Sequence, residues 1–235
     1  MSDNLRNDLQ PAFILHRRAF RETSAIVEVF TRNHGRIGVV ARGACRPRSA
    51  LRAALMPFAP LLMSWSGRGE LATLRSVELA NVPSALFGKA LLSGMYVNEL
   101  VMRLTHRHDP HPELFEAYEQ AITELGTGAC LEQTLRMFEK RVLEAIGYGL
   151  ILESEADNDK AICAGEQYRY IADRGPTQDP HLAGESVDVC GETLLTLSLE
   201  RPLSTLGQRE AKRLMRFLLA VHLGGRPLAS RELFR

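Results

Sequence analysis

The period of the apolar residues changes once along this chain, at Pro83, and that change limits the fold more than any other feature. Before it, short apolar segments alternate with turn signals: FILHRRAF, SAIVEVFT, RIGVVA, FAPLLMSW and ELATLRSVEL, all between Phe13 and about Ala80. After it, apolar residues recur every three or four positions, as on the buried face of a helix. Leu86, Ala90, Val97, Val101 and Leu104 mark one helix, and Leu131, Leu135, Phe138, Val142 and Ile146 mark another that stops at Gly147. Leu114 to Leu125 predicts a third helix, and Leu214, Phe217, Leu218 and Val221 a fourth before Gly224-Gly225. Five strands in about 70 residues predict a small closed barrel of the OB type, although an SH3-like barrel has similar spacing. Asn33-His34-Gly35 and Gly67-Arg68-Gly69 supply tight connections, because Asn and Gly accept positive φ. The second and third strands are apolar at nearly consecutive positions, as in a sheet covered on both sides.

The expected architecture is therefore α+β and multidomain. A five-stranded OB-fold β-barrel over residues 1–80 precedes an all-α helical domain over 81–235, with an irregular insertion at about 153–202 and a hairpin near EQYRYIADRGP. The charge divides at the same place. Residues 1–80 hold 12 arginines against 6 acidic residues, and the remainder 17 basic against 22 acidic, so a formal net charge of only +1 hides a basic module next to an acidic one. A basic module of this kind suits a polyanion. The charge is densest in ARGACRPRSALRAAL, Ala41 to Leu55, where Arg42, Arg46, Arg48 and Arg52 have no acidic neighbour. Arg17, Arg18, Arg21, Arg32, Arg36, Arg68 and Arg75 surround the same barrel, together with Trp65, Phe20, Phe30 and Phe58. Arginine pairs with phosphate in a fork geometry and stacks on bases. Trp65 and Phe30 are expected in the core.

Catalytic motifs are missing. Gly67-Arg68-Gly69-Glu70-Leu71-Ala72 fits G-x-G-x-x-A but lies in a turn between strands, without the helix N-terminus that would meet a pyrophosphate. There is no P-loop and no G-x-S-x-G elbow. His106, His108 and His111 with Asp109 lie in a proline-punctuated connection, and Asp157 and Asp159 in an acidic loop, so neither set has the rigid frame that two-metal nuclease chemistry requires. Cys45, Cys130, Cys163 and Cys190 lack paired spacing, which points to a reducing, cytoplasmic setting. MSDNLRNDLQ has no signal-peptide pattern, and no window is apolar for long enough to span a membrane.

Six motifs in order give the chain a resemblance. FILHRRAFRETSAIVEVFTRNHGRIGVVARGA, the basic loop, LMPFAPLLMSWSGRGELATLRSVE, GMYVNEL, a helix ending in GYGL, and LGGRPLASRELF resemble the bacterial recombination mediator family RecO across nearly the whole length. The resemblance implies a non-catalytic DNA repair and recombination protein of the RecF pathway. Such a protein binds single- and double-stranded DNA, anneals complementary strands, engages the acidic C-terminal tail of single-stranded DNA-binding protein and, with RecR, helps to load RecA. Many relatives carry a four-ligand zinc site in the helical domain. Here KAICAGEQYRYIADRG supplies only Cys163, with Cys190 distant in sequence, so a degenerate insertion without metal or other cofactor is expected. The residues expected to contact DNA are Arg17, Arg36, Arg42, Arg46, Arg48, Arg52 and Arg68. For the protein tail, an acidic peptide with an apolar end, the helix bearing Arg136, Phe138, Lys140 and Arg141 is nominated. The alternatives are a protein-binding adaptor whose basic half only aids solubility, and a metal-dependent nuclease.

Overall fold

The computed structural model, which describes residues 9–67, 69–128 and 130–233, turns the five apolar segments into strands. They are β1 (Gln10–Phe20), β2 (Ser24–Thr31), β3 (Gly35–Ala41), β4 (Leu61–Ser66) and β5 (Ala72–Leu79). They close into a barrel in the order β1-β2-β3-β5-β4. All neighbouring pairs are antiparallel except β3 and β5, which meet in parallel at Val39↔Ala72 and Val40↔Thr73. The alternation of side chains sorts the strands into two faces. Ile14, Val27, Val29, Ile37, Val39, Leu61, Met63 and Trp65 point into one buried cluster inside the barrel. Phe13 and Phe30, paired across β1 and β2, lie on the other face and are also buried.

That outer face is covered by α2 (Gly88–Leu104) and α3 (Pro112–Thr127), which accounts for the nearly continuous apolar run of β2. Phe13 and Phe30 pack on Phe115 and Tyr118 of α3, with ring centroids 4.9 to 5.8 Å apart. The register of β1 slips between Ile14 and His16, leaving Leu15 unpaired, and Asn98 of α2 donates to the carbonyls of Leu15 at 2.9 Å and Ile14 at 3.4 Å. The Tyr118 hydroxyl donates to Asn98 Oδ1 at 2.7 Å, completing a fully buried chain. The first compact unit accordingly runs to Gly128. Pro83 marks the change from strand to helix, while the barrel and the two following helices share one body.

The second unit begins after Gly128 and contains α4 (Leu131–Ala145), a three-stranded sheet ordered β7-β6-β8, α5 (Gly191–Ser198), α6 (Thr205–His222) and the short α7 (Ala229–Glu232). The stretch read as irregular is ordered around that sheet, with β6 (Gln167–Ile171), β7 (Gly175–Thr177) and β8 (Ser186–Cys190). The expected hairpin is its β6–β7 arm. A turn at Cys163–Glu166 packs on the start of α5: Gly191 N–H donates to the Glu166 carbonyl, Glu192 N–H to the Ala164 carbonyl, and Cys190 Sγ lies 3.3 Å from the Ala164 carbonyl. This brings Cys163 and Cys190 to one place. Two thiols are half of a four-ligand zinc set, and among the described residues no group of three or more His, Cys, Asp or Glu side chains is arranged around a common centre. No described helix is long and apolar enough to cross a membrane.

Candidate nucleic-acid interface

The basic segment between β3 and β4 is held at both ends by the barrel core. Ala44 and Leu55 are buried in it, at 0% and 1% exposure, so the chain between them must arch outward. Successive turns shape the arch: Arg46 N–H donates to the Gly43 carbonyl at 3.1 Å, Ser49 N–H to Arg46 at 3.2 Å and Arg52 N–H to Ser49 at 3.0 Å, leading into the single turn of α1 (Ala50–Ala54). Gly43 takes a φ of 75°, a left-handed conformation that costs glycine little. The arch packs on the β1–β2 turn, where Cys45 N–H donates to the Thr23 carbonyl at 2.8 Å and Cys45 Sγ to Ser24 at 3.1 Å. Arg42, Arg46, Arg48 and Arg52 are all exposed and form no ion pair among the described residues.

Arg17 has a different part. It is half-buried, and its guanidinium donates to the carbonyls of Ala44 at 3.0 Å and Arg52 at 3.3 Å, tying both ends of the arch to β1. Arg17, Ala19, Cys45 and Arg52 line an open cleft of about 330 Å³. Arg21, which the sequence places only among the general arginines of the barrel, sits in the β1–β2 turn beside this arch, with its guanidinium 5.1 Å from the Phe20 ring. The result is a cationic end of the barrel, with exposed arginines on a backbone anchored at both ends. Such an end attracts a phosphate chain and asks little of its sequence.

Arg36 is not part of it. It lies at the start of β3, away from the arch, and donates to the Thr105 carbonyl at 2.9 Å and to Met102 Sδ at 3.3 Å, while its Nε is buried without a partner. Burial lowers its pKa from the ordinary arginine value, opposed by the charge of Glu28 and assisted by that of Arg107. Arg107 pairs with Glu28 and donates to the Glu70 carbonyl, so these arginines clamp the α2–α3 connection onto the barrel. That connection reaches close enough that a Cβ on Gly35 would lie 2.1 Å from the Asp109 carbonyl. The long sequence separation, from β3 to the helices, hides this role. Arg68 lies outside the described residues.

In the second unit, Phe138 is buried at 2% exposure, and Arg136 and Lys140 at 5% and 7%. Arg136 donates to Glu139 at 2.7 Å; Lys140 pairs with Glu200 at 2.9 Å and Glu144 at 3.6 Å. Arg141 is exposed but holds Glu200 at 2.5 Å and Glu144 at 3.2 Å. The structure thus places Arg136, Lys140 and Arg141 in ion pairs with carboxylates of the same unit. Burial disfavours the Glu200 carboxylate, yet the Lys140 hydrogen bond and the charges of Lys140 and Arg141 outweigh it and lower its pKa.

Two family profiles cover this chain almost end to end. The one described as Recombination protein O N terminal matches residues 6–83, and Recombination protein O C terminal matches 88–232. This chain belongs to the RecO family. It is 51% identical over 228 residues to the DNA repair protein RecO of Methylococcus capsulatus, covering 97% of this chain and 93% of that one. It is 44% identical over 238 residues to the DNA repair protein RecO of Aromatoleum aromaticum, covering 100% and 98%. The RecO relationship places the protein in DNA repair, and the closed barrel followed by a helical region is the architecture expected for it.

Proposed function

We propose that this protein is a non-catalytic recombination mediator that binds single- and double-stranded DNA through the cationic end of its barrel, with Arg42, Arg46, Arg48 and Arg52 on phosphates and Arg17 shaping the arch. The observation that carries this reading is the arch itself: four arginines without acidic partners on a loop pinned by Ala44 and Leu55. An exposed cation that meets phosphate holds a strand without reading its bases. In this reading the protein anneals complementary strands, engages the acidic tail of single-stranded DNA-binding protein and acts with RecR in loading RecA, without metal or other cofactor. For the tail the nominated element is α4, where its carboxylates would have to displace Glu144 and Glu200 from Lys140 and Arg141.

The test is salt-dependent binding to single strands by the full chain. Each phosphate contact contributes about 0.7 to the log-log slope, so Arg46→Ala/Arg48→Ala/Arg52→Ala lowers the slope by about 2. A slope equal to that of the unaltered protein refutes the assignment of the arch. Annealing of strands coated with single-stranded DNA-binding protein, with and without its last few residues, tests the partner; equal rates with both refute the tail contact.

A further inference from the structure

The second unit carries a concentration of positive charge that its net acidity conceals. α6 contains Arg209, Lys212, Arg213 and Arg216 and a single carboxylate, Glu210. Glu210 turns inward: it is 8% exposed and accepts from Cys190 N–H at 3.2 Å and from Thr193 Oγ1 at 2.5 Å, so it does not neutralise the outer face. The exposed residues Leu206, Arg209, Arg213, Arg216 and Ala220 recur every three or four positions and so form one stripe. Three guanidiniums at i, i+4 and i+7 span about 10 Å of the helix axis.

The surrounding elements compensate this charge only at its margins. From α4, Glu132 pairs with Lys212 at 2.9 Å. From β8, the Asp188 carbonyl accepts from Arg213 at 2.5 Å. Arg209 and Arg216 form no ion pair among the described residues. The Glu132 carboxyl registers the local field: the Lys212 hydrogen bond lowers its pKa most, burial opposes, and the charges of Lys212, Arg136 and Arg216 add to the lowering. Like charges three and four apart destabilise a helix, and a helix face that serves only solubility mixes both signs. A ligand with regularly repeated negative charge removes that repulsion.

We infer that the outer stripe of α6 is a second phosphate-binding track, in which Arg209, Arg213 and Arg216 hold the backbone of a nucleic-acid strand. It rests on the reading of this protein as a DNA-binding mediator and adds a second site on the other unit. Repeated guanidiniums suit a chain with one charge per unit; an acidic peptide would need an apolar anchor among them, and the large apolar side chains exposed on α6, Leu206 and Val221, lie beyond the two ends of the arginine run. A molecule with one track on each unit holds two strands at once, which annealing requires.

The test uses the full chain, a fluorescein-labelled oligothymidylate and a short acidic peptide ending in an apolar residue. Arg209→Ala/Arg213→Ala/Arg216→Ala is expected to lower the salt slope by about 2, Arg209→Lys/Arg213→Lys/Arg216→Lys to retain it, and both to melt like the unaltered protein. A quadruple alanine variant at Arg42, Arg46, Arg48 and Arg52 is expected to keep a residual salt-dependent binding that the α6 triple alanine change then removes. An unchanged slope in the α6 triple alanine variant, with binding lost in the arch variant, overturns the track and leaves the DNA-binding reading intact. Unchanged slopes in both overturn the DNA-binding reading as well. Loss of peptide binding alone in the α6 variant makes this face a protein site and likewise overturns the proposal.

Discussion

Asn98 and Tyr118 show what a single polar pair does in the first unit. The slip in β1 leaves Leu15 out of the ladder, and Asn98 donates to its carbonyl and to that of Ile14 while Tyr118 satisfies the remaining oxygen of Asn98. Burial pushes the Tyr118 phenol far above its ordinary pKa, so it remains a donor at any working pH. Tyr118→Phe removes that donor without changing the packing volume much. It leaves Asn98 Oδ1 buried and unsatisfied, at a cost of about 1 to 3 kcal/mol, measurable by urea denaturation; unchanged stability refutes the role of the pair. Neither residue stands out in the sequence, because an Asn in a helix signals nothing until the strand it meets is known. Arg36 gives the same lesson from the opposite side. Its charge suggested a ligand contact, and its fate depended on Met102 and Thr105, far along the chain.

Among the elements, α4 departs furthest from a simple amphipathic reading. Leu135, Phe138 and Val142 form the buried face that their spacing predicts, but Arg136, Glu139 and Lys140 are buried too. The partners that allow this are Glu139 on the same helix and Glu200 beyond α5, sixty residues from Lys140. The lowered pKa of Glu200 makes its ion pairs a source of stability that is complete above its unfolded pKa, about 4.3, and lost as pH falls through the lower folded value. Glu200→Gln therefore destabilises the protein at neutral pH, and the difference from the unaltered protein disappears in acid. The effect is about 1 kcal/mol or less, because 35% of the side chain stays in water. Thermal melts of both proteins from neutral pH to below pH 4 check this; a difference that persists in acid refutes it. The arch between β3 and β4 was more legible. Its run of arginines without acids, bounded by apolar residues, already indicated an exposed cationic loop, although the helical turn α1 and the tie to Arg17 did not appear in the pattern.

At the scale of the whole molecule, the change of period at Pro83 and the end of the first compact unit at Gly128 are different boundaries. A fragment that stops at residue 80 would leave Phe13 and Phe30 without Phe115 and Tyr118. Exposing two such side chains costs about 4 kcal/mol, a large part of the roughly 5 to 15 kcal/mol that holds a domain together. Residues 1–128 should fold with a cooperative melt, and residues 1–80 should not. Circular dichroism melts of the two fragments decide it, and a cooperative transition in the shorter one refutes the argument. The sequence by itself determined five strands, their closure into a small barrel, the helices that follow and the position of the arginine-rich arch, because all of these follow from periodicity and charge among near neighbours. Only the tertiary structure decided which arginines face water, which carboxylates neutralise the rest, and which helices complete the barrel. Those outcomes depend on residues brought together from distant parts of the chain, where no local spacing carries a signal.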